Sequence, residues 1–236
     1  MITGNVVKPS MAVYKVLYRG MYDYLREVRL NVSKEYKAQE VKTLNGDIAL
    51  LVEKKSYFEQ YNEQAINKIH KKYFDQQYFY TRQQINDNVK TFFNEGAEVK
   101  DVVFNNDNVE SNRDFLYAIM GLFFIKAEEK LNKGVSFSSA VREAFGIAKR
   151  RAKNVSLWVN REDTKNGLFS TLKEKGVTKY IWTYTYRSKK ERLTHKNILN
   201  GQVFDIDEGL YDPDVDRNIL PAELIGCRCA MTPVIE

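Results

Sequence analysis

The stretch "TKYIWTYTY", residues 178–186, decides how the chain is read. Tyr180, Trp182, Tyr184 and Tyr186 fall on one side of it, and Ile181, Thr183 and Thr185 on the other. A period of two in aromatic and β-branched residues is that of a β-strand. Upstream the apolar period is three to four residues, that of helices. The chain therefore reads as mainly α with a small C-terminal α+β domain of about three strands. The second strand follows the turn in "NGQVF" (200–204), with Asn200 and Gly201 supplying positive φ. The third is "CAMTPVI" (229–235), and "KKERLTHKNIL" (189–199) predicts a short helical turn between the first two.

Working back from the strand, a helix over 161–175 stops at Gly176. Another begins near Ser136 or Ser138 and ends in "KRRAK", where the helix macrodipole favours cations. The run "FLYAIMGLFFIKA" (115–127) reads as a buried helix from Asp114 to Leu131, closed by Asn132-Lys133-Gly134. Residues 97–112 are polar and turn-rich and read as a linker or surface loop. Before them, Ile85, Val89 and Phe92 carry a helix to a stop at Gly96, and Ile48, Leu51, Phe58, Ala65, Ile69 and Tyr73 mark an earlier one. Asn45-Gly46 reads as a break, and Tyr14, Leu17, Met21, Leu25 and Val28 as the apolar face of a first helix capped by Ser10. Residues 1–9 read as a flexible lead-in.

Composition narrows the class. Hydrophobic residues make up 43% of the 236 and charged residues 29%, which suits a folded domain with a sizeable core. Four prolines and twelve glycines leave room for long regular elements. No apolar run approaches the roughly 20 residues that a membrane-spanning helix needs, and "MITGNVVKPS" lacks the apolar core of a signal peptide. A net charge of +6 suits phosphate backbones or acidic protein surfaces without selecting either. Two cysteines one residue apart do not form a disulfide framework, so reduced thiols and assembly in a cytoplasm are expected.

Three groups of residues carry chemistry. His195, Cys227 and Cys229 are the donor types that zinc prefers, with Asp205 or Glu223 as a fourth ligand. Against that, the two cysteines alternate as strand residues do, which gives them a packing role. His195 with Arg187 and Arg192 suits a nuclease-like site, histidine moving a proton and arginine holding a phosphate. Lys149, Arg150, Arg151 and Lys153 form a basic cluster that can meet DNA or remain a solvated face. The aromatic run "YFDQQYFY" (73–80) can stack bases, although its helical spacing favours packing.

The order of pieces in the last third is more specific than any one of them. A helix and Gly176 lead to the strand with Trp182; then come Arg192-x-x-His195, Leu199-x-Gly201-x-x-Phe204, an acidic spacer with Pro221, and Cys227-Arg228-Cys229. This series resembles the C-terminal domain of the tailed-phage minor head proteins, the Mu F-like head-morphogenesis family. The match covers roughly residues 140 to 236. Where members often carry an acidic residue ahead of paired arginines, this chain has Ser188 and Lys190.

The resemblance implies three regions: the lead-in 1–9, a helical portal- or capsid-docking region 10–134, and a Mu F-like α+β domain 135–236. It implies a virion-head protein assembled in the host bacterial cytoplasm, present in several copies. Its partners would be the portal protein, the major capsid protein and packaged double-stranded DNA. It implies no enzymatic activity and no resident cofactor; zinc at His195, Cys227 and Cys229 is the alternative that the donor types leave open. Relatives that serve as toxin nucleases supply the alternative, a basic nuclease-like enzyme using His195 and Arg192.

Overall fold

In a computed structural model of the protein, the residues described are 11–40, 42–61, 63–93, 107–185, 191–221, 223–224, 227 and 229–234. The helices are α1 (Met11–Ala38), α2 (Leu44–Tyr61), α3 (Glu63–Ile69), α4 (Asp75–Phe93), α5 (Asp107–Leu131) and α6 (Phe137–Glu174). A π-helical segment, His70–Phe74, joins α3 to α4, and a second, His195–Leu199, follows the first strand. The strands are β1 (Lys179–Thr183), β2 (Val203–Asp205), β3 (Leu210–Asp212), β4 (Arg217–Ile219) and β5 (Ala230–Pro233). The chain is mainly α with a small C-terminal β-containing part, as its periodicity predicts. Among the described residues no helix is long and apolar enough to cross a membrane.

The chain divides into two compact units, with boundaries inside α4 and α6. One unit comprises residues 12–78 and 105–157. In it α1 buries Val13, Leu17, Met21, Tyr24, Leu25, Val28 and Val32, three or four apart, on one face. The Tyr24 hydroxyl donates to the Met120 sulfur at 3.3 Å, and Ser156 donates to the Met21 sulfur at the same distance. Helix α2 packs against α5, whose buried face is Leu116, Ile119, Met120, Phe123, Phe124, Ala127 and Leu131.

Several boundaries correct the sequence reading. Asn45-Gly46 lies in the first turn of α2 and does not break a helix. Thr43 Oγ1 accepts from the Gly46 amide at 3.1 Å, so the cap sits two residues ahead of the expected turn. Residues 107–112 belong to α5, not to a loop. Ser10 and Gly96, expected as helix signals, lie outside the described residues, as do 97–106.

The two helices expected over 136–175 are one helix, α6. Its buried stripe continues where the apolar pattern lapses, through Ser156, Asn160, Asp163, Thr164 and Lys165. Polar residues on the inner face erase the hydrophobic signal without breaking the helix. The "KRRAK" cluster is therefore mid-helix, and the macrodipole has no part in its placement. At the end of α6, Gly176 N donates to Lys173 O (2.9 Å) and Val177 N to Leu172 O (2.9 Å), the hydrogen bonds of a Schellman stop.

The other unit comprises residues 1–11, 79–104 and 158–236. Its sheet has the order β2-β1-β5, all neighbours antiparallel, with Tyr180 opposite Phe204 and Trp182 opposite Met231. A separate hairpin pairs β3 with β4, Leu210 opposite Ile219 and Asp212 opposite Arg217. Two strands beyond the expected three thus come from the acidic spacer. The expected alternation holds through β1 and the residue after it: Tyr180, Trp182 and Tyr184 are buried. They join Ile85 and Val89 of α4, Leu168, Phe169 and Leu172 of α6, and Leu199, Phe204, Ile219, Cys227, Cys229 and Met231 in one core.

The turn after the π-helical segment is type II, with one left-handed residue instead of the two expected. Asn200 has φ −61° and ψ 127°, and only Gly201 is left-handed, at φ 82°. Gln202 N donates to Leu199 O at 3.1 Å across it. The turn is pinned to β1 by Gly201 N donating to Trp182 O (2.8 Å) and Tyr184 N donating to Asn200 Oδ1 (2.9 Å).

Candidate functional site

Three chain segments bring His195, Cys227 and Cys229 together. The π-helical segment presents His195, Cys227 is held by its amide donating to Leu224 O (2.8 Å), and the approach to β5 presents Cys229. Both sulfurs lie 3.4 Å from His195 Nδ1. The three donor atoms lie within 4.8 Å of one another, the one such set of three or more among the described residues. All are buried: His195 is 0% exposed, Cys227 4% and Cys229 6%.

Other groups fix this geometry. Asp212, at the end of β3, sets Oδ2 2.9 Å from His195 Nε2, with both side chains fully buried. The second oxygen of Asp212 accepts from Asp214 N at 3.0 Å, so the carboxylate is held on both sides. Trp182 meets the imidazole edge to face, ring centroids 5.3 Å apart at 87°. Arg161 of α6 donates to the Cys227 carbonyl at 3.3 Å, and Cys229 N donates to the Cys227 sulfur at 3.4 Å.

The electrostatics follow from burial and these contacts. Cys227 is held well below the usual thiol range by the hydrogen bond from the Cys229 thiol; burial opposes this and His195 adds to it. Cys229 is pushed up by the same bond, by burial and by the neighbouring thiolate charge. For His195 burial pulls down, but the bonds to Cys227 and Asp212 outweigh it and the net shift is upward. The two thiols thus shift in opposite directions as an interacting pair, next to an imidazole backed by a carboxylate.

Sequence reading found three of these residues and missed Asp212, Arg161 and the contact of Trp182 with the histidine. The carboxylates it offered as a fourth ligand are occupied elsewhere. Asp205 accepts from Asp207 N at 2.9 Å, and Glu223 holds Arg217 at 2.6 Å and accepts from Leu220 N at 2.8 Å. Arg192 is half-buried, and its carbonyl accepts from Lys196 N at 3.1 Å. Leu199 and Phe204 are in the same core as Trp182, and Gly201 is in the type II turn. Arg187 and Arg228 lie outside the described residues.

In the other unit, Lys149, Arg150, Arg151 and Lys153 are exposed on α6. Lys149 Nζ lies 5.2 Å from the Tyr22 ring centre, and Arg29 covers Phe145 at 4.4 Å. In the aromatic run 73–80, whose spacing favours packing, Phe74 is buried while Phe79 is exposed. No protein-family model matches the chain, and no curated protein or solved structure matches it either.

Proposed function

We propose that the chain is a minor head protein of a tailed bacteriophage, associated with the portal vertex and acting in head morphogenesis and in packaging or ejection of DNA. One observation supports this reading most strongly. Of the motif residues that carry the resemblance, Trp182, His195, Leu199, Phe204, Cys227 and Cys229 lie buried together. Trp182 touches His195, His195 meets both cysteines, and Leu199 and Phe204 fill the core beside them. A series that matched by chance has no reason to close into a single centre.

The reading assigns the α+β part to the head and the helical part to docking on the portal or major capsid protein. The exposed cations Lys149, Arg150, Arg151 and Lys153 supply a face for packaged double-stranded DNA. Assembly takes place in the host bacterial cytoplasm, with several copies entering each virion head.

Burial of the histidine favours this over the nuclease alternative. A general base must come within hydrogen-bond reach of the proton it takes, and His195 is fully buried with contacts at both ring nitrogens. The test is genetic. Disrupting the coding frame in the phage that carries it should leave portal and capsid protein levels unchanged, abolish infectious particles, and be rescued by the chain supplied in trans. Normal infectious yield after disruption would sink the reading.

A further inference from the structure

We propose that His195 Nδ1, Cys227 Sγ and Cys229 Sγ hold one thiophilic divalent metal ion, zinc by donor set, as a structural clamp. The inference rests on the geometry of the site and does not depend on the head-protein reading.

Distances carry the first part. A tetrahedral ion at about 2.1 Å from nitrogen and about 2.3 Å from sulfur places those two donors about 3.6 Å apart. Here the imidazole nitrogen stands 3.4 Å from each sulfur. Both nitrogen–sulfur edges of the coordination polyhedron are thus already formed to within about 0.2 Å.

The second part is the orienting carboxylate. A metal-bound histidine needs its far nitrogen protonated and held, most often by a carboxylate. Asp212 does this at 2.9 Å from Nε2, with both partners sealed from solvent. The Nε2–H then donates to Asp212, and the Nδ1 lone pair is directed at the two sulfurs. Because Asp212 faces the far nitrogen, it orients the ligand and is not itself one. Among the described residues three donors meet here, and the fourth position is open to a further donor.

The third part is topology. Cys227 and Cys229 are 32 and 34 residues from His195 along the chain. An ion there ties the segment before β5 to the π-helical segment and, through Asp212, to the β3–β4 hairpin. The β-containing part is made of strands three to five residues long, so such a tie replaces core that short strands do not provide.

The experiment uses the full chain, expressed in zinc-supplemented medium and purified reduced without chelator. Elemental mass spectrometry should find one zinc per chain, released on thiol modification. Exchange for cobalt(II) should give a sulfur-to-cobalt charge-transfer band and the d–d bands of a four-coordinate ion. Cys229→Ser should weaken the charge-transfer band, and Asp212→Asn should lower zinc affinity by about 10–100-fold while retaining the spectrum. Arg192→Ala should change neither. Since site variants risk misfolding, the wild-type protein is also stripped by chelator and checked for retained helicity before cobalt(II) is added back. A folded, reduced wild-type chain that carries no zinc and develops no charge-transfer band with cobalt(II) would overturn the proposal. So would a folded Cys229→Ser chain with unchanged metal content and band intensity.

Discussion

Asp212 Oδ2 lies 2.9 Å from Nε2 of His195, and neither side chain reaches solvent. A carboxylate at the end of β3 therefore sets the orientation of a histidine on the neighbouring π-helical segment. Removing one partner of a fully buried pair leaves the other desolvated and unmatched. Asp212→Ala should destabilise the protein by about 3 kcal/mol, and Asp212→Asn, which keeps an acceptor, by less. Urea unfolding followed by circular dichroism near neutral pH measures both. A change within about 0.5 kcal/mol for the alanine variant, the size of an ordinary surface substitution, would mean that the pair is solvated.

Trp182 fills the centre of the same core, fully buried against His195 and Phe204. Trp182→Ala should cost about 3–5 kcal/mol through lost transfer energy and the cavity left behind. Trp182→Phe retains a ring for the edge contact and should cost clearly less. The same unfolding experiment ranks the two, and equal losses would show that ring contact with the histidine adds nothing.

Two glycines separate backbone strain from steric clash. Gly201 has φ +82° with open space around a would-be Cβ, so Gly201→Ala should cost only the left-handed penalty of about 1–2 kcal/mol. Gly209 has φ +70°, and a Cβ there would lie 2.6 Å from the Ile219 carbonyl oxygen. Gly209→Ala must also push apart the β3–β4 hairpin that carries Asp212, so it should be the more damaging of the two. The unfolding midpoints decide the order, and the reverse order would contradict this account of the hairpin.

The basic cluster gives a prediction on DNA. Changing Lys149, Arg150, Arg151 and Lys153 together to glutamine should leave stability within about 1 kcal/mol, since all four are exposed and only the Lys149–Tyr22 contact is lost. The proposed contact with packaged DNA predicts weaker binding to duplex DNA and a flatter salt dependence, the slope falling by up to about 3.6 if all four meet phosphates. Fluorescence anisotropy across a salt series reads this. Unchanged affinity and slope would remove the cluster from the interface.

How much of this was legible in the sequence depended on how local the signal was. The β1 alternation and the stops at Gly134 and Gly176 are written within a few residues, and the structure has them. The continuity of α6 was hidden because its inner face turns polar from Ser156 to Lys165, and only packing shows those residues to be buried. Asp212 was hidden for a different reason. It is one of six acidic residues between Asp205 and Asp216, which look alike as solvated carboxylates. Its burial arises from a hairpin of two three-residue strands, too short to show a period. Of the candidate centre, the sequence offered the donors and their residue types, while the orienting carboxylate required the fold.

The proposal that this chain is a minor head protein is tested most directly by quantitative mass spectrometry of purified, DNA-filled particles, with portal protein as the internal standard. The account predicts a reproducible ratio near or below one copy per portal subunit. Absence of the chain from particles that contain normal portal would contradict it.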